Sequence, residues 1–143
     1  MDEQEQQVAE LIEAATAVRR QAYTPYSGFA VGAALRGASG RLYTGCNVEN
    51  VSYGLACCAE RNAVFHAVSQ GERAIVAAAV VTDAEAPTSP CGACRQVLLE
   101  FAPDGAMEIV LATLSGTRRH TTIAALLPES FSSFMPDTPP SQD

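Results

Sequence analysis

Between Glu3 and Ala22 the apolar residues Val8, Leu11, Ile12, Ala15 and Val18 return at helical spacing, while Glu10, Glu13 and Arg19 fall elsewhere on the wheel. That pattern predicts an amphipathic helix with one buried stripe, laid against a sheet. Pro25, Ser27 and Gly28 end it. Two short apolar runs follow, 29–35 and 41–47, on either side of Gly37-Ala38-Ser39-Gly40. Such a pair predicts a β-hairpin, which Gly32 and Gly45 weaken slightly. A second helical pattern covers 58–70 and stops at Gly71. The unbroken apolar run 74–82 predicts a strand buried on both faces. A short helix over 92–101 ends before Pro103, and 108–113 forms another apolar strand. Residues 118–122 suit an edge strand and 122–127 one helical turn.

The resulting order, α-β-β-α-β-α-β with room for one more strand, predicts an α/β fold. Its form is a single mixed β-sheet of about five strands covered by helices on both faces. No repeat or second domain interrupts it. Residues 1–131 read as one domain. Residues 132–143 read as a Pro-rich tail, partly disordered, although Phe131 and Phe134 indicate that part of it docks.

Composition narrows the function. A chain of 143 residues with 48 % hydrophobic content can bury a sizeable core. The net charge is −7, and all nine basic residues are arginines, scattered except for Arg19-Arg20 and Arg118-Arg119. A polynucleotide binder needs a cationic stripe, so a small neutral or weakly polar substrate fits better. No apolar run approaches the ~20 residues that span a bilayer. The first residues, M-D-E-Q-E-Q-Q, are acidic and unlike a basic signal peptide. A cytoplasmic location is the expectation. The five cysteines are odd in number and spaced as C-C and C-x-x-C, which favours metal or redox chemistry over a disulfide framework. Cys46 and Cys57 read as small buried hydrophobes.

The chemistry concentrates in Cys58-Ala59-Glu60-Arg61 and Ser89-Pro90-Cys91-Gly92-Ala93-Cys94-Arg95. Cys91 and Cys94, three apart at a helix start, present both thiols on one side. If Cys58 also opens a helix, two positive helix ends favour thiolate over thiol. Three thiolates hold a zinc ion with its fourth position open, as a catalytic site requires. Glu60 is then free to carry a proton. Arg61 and Arg95 are candidates to offset the sulfur charge by hydrogen bonding to it. A structural zinc would normally close with a fourth Cys or His, and a redox pair would leave Cys58 and Glu60 without a role. Asn47 and Glu49 share one side of an extended segment. From spacing alone they read as a solvated loop edge, with contact to a ligand's hydroxyls as the alternative.

The sequence resembles the small, three-cysteine, homotetrameric type of the cytidine deaminase family. The matching blocks are Y-x-P-Y-S-G-F-A-V-G-A-A-L at 23–35, G-C-N-V-E-N at 45–50, C-A-E-R at 58–61 and S-P-C-G-A-C-R-Q-V at 89–97. The resemblance spans residues 22–131. It implies zinc on Cys58, Cys91 and Cys94, one ion per chain, and Glu60 as proton shuttle. It implies that Asn47 and Glu49 grip the ribose hydroxyls, that Phe29 lies against the pyrimidine, and that the Ala59 backbone reads the base. Arg61 would ease the thiolate charge, and Phe131 would close a neighbouring subunit's pocket in a homotetramer. The implied reaction is hydrolytic deamination of cytidine and deoxycytidine to uridine and deoxyuridine with release of ammonia, in pyrimidine salvage. Two alternatives remain: a blasticidin-S-type deaminase, disfavoured by the ribose-type segment 47–50, and a structural zinc or interaction module. A polynucleotide-editing deaminase is disfavoured by the acidic balance and the absence of lysine.

Overall fold

The structure is a computed structural model that describes residues 2–133. The expected tail lies outside the described residues from position 134 onward, Phe134 included. The elements run α1 (Glu3–Arg19), β1 (Val31–Gly37), β2 (Leu42–Cys46), α2 (Ala59–Ser69), β3 (Ile75–Thr82), α3 (Gly92–Glu100), β4 (Glu108–Thr113), β5 (Arg118–Thr122) and α4 (Ile123–Leu126). Short 3-10 turns at Tyr53–Leu55 and Pro103–Gly105 were not visible in the apolar pattern. Among the described residues no helix is long and apolar enough to cross a membrane.

The strands form one mixed sheet in the order β2-β1-β3-β4-β5. β3 and β4 are parallel and the other neighbours antiparallel. The expected five-stranded sheet with helices on both faces is therefore the observed one. Successive strand residues point to opposite faces. Ala33, Leu35, Ala78, Val80, Ile109 and Leu111 pack on one side with Ala63, Ala67 and Leu98, from α2 and α3. Ala34, Ala79, Val81 and Ala112 pack on the other with Leu11 and Ala15 of α1. α4 joins the first layer through fully buried Ile123. Both helices that open with a metal-type motif thus lie on the same face.

Two boundaries differ from the sequence expectation by more than one residue. α1 ends at Arg19, not near Ala22. The backbone at Tyr23 is drawn away to pair with the far end of the hairpin, donating to Asn47 O at 3.0 Å and accepting from Glu49 N at 2.9 Å. β1 begins two residues late, at Val31. Before it, the Phe29 and Ala30 carbonyls accept from side chains, Asn47 Nδ2 and Arg19 Nε, and not from a neighbouring strand.

The glycines that weaken the hairpin pattern are explained by the helices. A Cβ on Gly45 would lie 2.3 Å from Ala63 N and 2.7 Å from Ala59 O. One on Gly32 would lie 2.0 Å from Ala15 O. Each strand gives up a side chain so that a helix backbone can close on the sheet. Gly45→Ala should therefore push α2 off β2 and destabilise the fold by at least the about 1–3 kcal/mol of core overpacking. Urea unfolding checks this, and a midpoint equal to that of the unaltered protein would contradict it.

Candidate active site

The site is assembled from two helix starts. Cys58 is the N-cap residue of α2 and Cys91 that of α3, both with extended backbone. Neither thiol caps its own helix, so both are free to face one another. Cys94 follows in the first turn of α3, and its sulfur lies 3.5 Å from that of Cys91. Cys58 Sγ is 3.8 Å from Cys91 Sγ, and all three sulfurs lie within 4.8 Å of one another. A tetrahedral ion at the usual Zn–S distance of about 2.3 Å spaces its sulfurs about 3.8 Å apart, so the trio fits zinc. Cys94 is buried, Cys58 half-buried and Cys91 exposed, which leaves the cluster open on one side.

The charge of the cluster is managed locally. A hydrogen bond from Cys94, with further ones from Arg61 and Cys91, lowers the Cys58 thiol to about 5. The same bond raises Cys94, with burial adding to the effect. Arg61 Nη2 lies 3.6 Å from Cys58 Sγ. Its Nε is buried without a hydrogen-bond partner. A partly unsatisfied guanidinium beside the thiols suits a cluster that becomes more negative when all three ionise.

Glu60 is the second residue of α2 and is 6 % exposed. Burial pushes its carboxyl up to about 7. It is not part of the sulfur cluster. A cavity of about 250 Å³ joins Glu60 and Ala59 to Cys58, Cys91, Phe29 and Asn47. Six of the residues named from the sequence therefore meet in one place. The cavity also brings in Val80, Thr82 and Thr88, which no motif marked. The Thr82 and Thr88 hydroxyls are 3.4 Å apart. They arrive from a strand end and a loop, so only the fold brings them to Glu60.

Asn47 and Glu49 are not a loose loop edge. Asn47 Oδ1 accepts from Val31 N and its Nδ2 donates to Phe29 O, both at 2.8 Å. Glu49 accepts from Tyr26 N at 3.0 Å, from Ser27 N at 3.2 Å and from the Ser27 hydroxyl. The Ser27 hydroxyl holds the Glu49 carboxyl below its usual range. Together the two side chains fix the segment that presents Phe29. Glu49 itself lines a different cavity, of about 310 Å³, with Tyr26 and Tyr53, and not the one at the thiols.

Two further expected residues stand elsewhere. Arg95 hydrogen-bonds not to sulfur but to oxygen, at Pro90 O, Leu126 O and Ser89 Oγ. Its side chain runs back along α3, as helical side chains do, and meets the incoming loop first. Phe131 is 61 % exposed and lines a different cavity of about 850 Å³ beside Gln96 and Glu129. It does not reach the thiols of its own chain's cavity.

Residues 5–113 match the model of the cytidine and deoxycytidylate deaminase zinc-binding region. The chain belongs to that deaminase family. A cytidine deaminase of Sporosarcina psychrophila is 53 % identical over 125 residues, 87 % of this chain and 91 % of the relative. One of Mycobacterium tuberculosis H37Rv is 46 % identical over 117 residues, covering 82 % and 84 %. The crystal structure of cytidine deaminase from Burkholderia pseudomallei matches with a TM-score of 0.83 at 50 % identity, over 86 % of this chain and 98 % of that one. The deaminase fold is therefore shared along nearly its whole length.

The thiols can be told apart by substitution. Cys58→Ala should lose bound zinc and lower the unfolding midpoint together, because metal binding and folding are coupled. Cys57→Ala, one residue away and outside the trio, should keep both. Elemental analysis and thermal unfolding check the pair. A Cys58→Ala protein with full zinc would remove Cys58 from the ligand set.

Proposed function

We propose that this deaminase hydrolyses cytidine and deoxycytidine to uridine and deoxyuridine, with one zinc ion per chain on Cys58, Cys91 and Cys94. The observation that carries the reading is a buried carboxylate, Glu60, opening into the same 250 Å³ cavity as the thiols. A structural zinc has no use for it. The relatives named cytidine deaminase support the substrate.

When bound, zinc supplies a Lewis acid that makes water acidic. Glu60 carries the protons. A buried carboxyl near 7 both accepts and returns a proton near neutral pH, the condition general acid–base catalysis favours. Glu60 takes one proton from the attacking water and delivers it to N3 of the cytosine ring. It then passes the second to the exocyclic nitrogen, which leaves as ammonia. The water oxygen ends on C4, so atoms and protons balance. Arg61 steadies the Cys58 thiolate. Phe29 covers the ring, and the free backbone N–H groups at the start of α2, near Ala59, read its polar edge. Asn47 and Glu49 hold the ribose hydroxyls with the lone pairs and the N–H that the 23–31 segment leaves free.

In this reading residues 1–131 are the working unit, and the enzyme serves pyrimidine salvage in the cytoplasm. Exposed Phe131 reaches a neighbouring chain's cavity in a homotetramer. Light scattering should give a multiple of 15.0 kDa, and a fully active monomer would contradict it.

Cytidine loss followed by ultraviolet absorbance, with and without a chelator, tests the activity. Glu60→Gln keeps the shape of the side chain but cannot carry the proton. It should retain zinc and fold while turnover falls by at least ~10²–10⁴-fold. Near-normal turnover in that variant would sink the mechanism, and loss of its zinc would make Glu60 a ligand.

A further inference from the structure

We propose that Arg95 is the positioning residue of the metal loop, a clamp through which the C-terminal segment helps to retain the zinc. This rests on the zinc site of the preceding reading. Arg95 sits in the first turns of α3, four residues after Cys91, and its backbone N–H donates to Cys91 O at 3.0 Å. Its guanidinium spreads three hydrogen bonds over two separate pieces of chain. Nε donates to Pro90 O at 2.8 Å and Nη2 to Ser89 Oγ at 2.8 Å. Nη1 donates to Leu126 O at 2.6 Å.

The two carbonyl acceptors are groups that need this partner. Proline has no N–H, so its carbonyl is the one backbone handle by which Pro90 can be held. That carbonyl belongs to the peptide immediately before Cys91, so fixing it fixes the direction from which the thiol leaves the chain. Leu126 ends the four-residue helix α4, where the last carbonyls have no partner within the helix. α4 is itself well anchored. Ile123 is fully buried, and its N–H donates to Met107 O at 3.0 Å. Thr122 caps the start by accepting from Ala125 N at 3.2 Å. A second tie lies beside the first, since Gln96 Nε2 donates to Phe131 O at 2.9 Å. Two consecutive side chains of the helix that carries Cys94 therefore grip residues 126 and 131.

The role is geometric and not one of charge. Arg61 is the cation whose nitrogen meets a sulfur, while the three bonds of Arg95 end on oxygen. A lysine would preserve the charge of Arg95, but a single ammonium cannot span three acceptors that a planar fork reaches. Substituting lysine separates the two possibilities.

The test is the rate at which folded, zinc-loaded protein gives up its metal to a coloured chelator, well below the unfolding temperature. Arg95→Lys and Arg95→Gln should both release zinc about 10–100 times faster than the unaltered protein, the usual scale for losing a partner that orients a ligand. Thr122→Ala, which loosens α4 at its far end, should speed release about two- to fivefold. Combined with Arg95→Lys it should add nothing, because the link passes through Arg95. A residue that merely stabilised the fold would lower the unfolding midpoint and leave this rate unchanged. Release from Arg95→Lys at the unaltered rate would overturn the proposal. If the Arg95 variants do not fold, Thr122→Ala decides alone, and an unaccelerated release refutes the link. An unaltered protein that holds no zinc would sink the deaminase reading itself. One that holds zinc, with Arg95→Lys unchanged, would sink only the clamp.

Discussion

Three sulfur atoms held within 4.8 Å of one another repel as soon as more than one is ionised, and much of the structure answers that constraint. Two helices begin at the cluster, so their positive ends point at the charge. Hydrogen bonds from Cys94 and Arg61 lower the Cys58 thiol. The Nε of Arg61 is buried without a hydrogen-bond partner. In the proposed reading a zinc ion completes the arrangement, and sulfur separations of 3.8 and 3.5 Å suit one. The same burial that shields the cluster raises Glu60. One corner of the fold therefore gathers three thiols and a carboxyl raised by burial, with Glu60 two residues from Cys58 in the chain.

Holding two helix starts together needs a rigid surface beneath them, which the sheet supplies. α2 and α3 lie on one face and α1 on the other. Small residues set the distances. Gly45 lets the backbone of α2 rest on β2, and Gly32 lets α1 rest on β1. A side chain at Gly45 would push against the start of α2, the helix that Cys58 caps.

Around the cluster lies a layer of polar side chains that act on backbone. Asn47 and Glu49 hold the segment carrying Phe29, and Arg95 holds the loop carrying Cys91. These segments have few strand or helix bonds of their own. Their backbone groups still need partners, and side chains from neighbouring elements supply them. The cavity wall is thus built from loops, but loops with fixed positions.

The sequence by itself determined the elements, the single mixed sheet and the identity of the reactive groups. Apolar periodicity is a local signal, and C-A-E-R and P-C-G-A-C-R are local motifs whose chemistry follows from the residue types. It did not determine where long polar side chains end. Arg95 stands next to Cys94 in the chain and was expected at sulfur, yet it reaches the carbonyl of Leu126, 31 residues away. Spacing alone read Asn47 and Glu49 as a solvated edge and the resemblance read them as ribose contacts, but neither indicated that they hold the 26–31 backbone. Thr82 and Thr88 carry no motif and join the cavity only because a strand end and a loop converge there. Even the glycines, which counted against the strands, were decided by helices distant in sequence. The physical reason is the same in each case. Backbone pattern depends on near neighbours, whereas a hydrogen-bond partner or a close approach depends on what the completed fold places within about 3 Å.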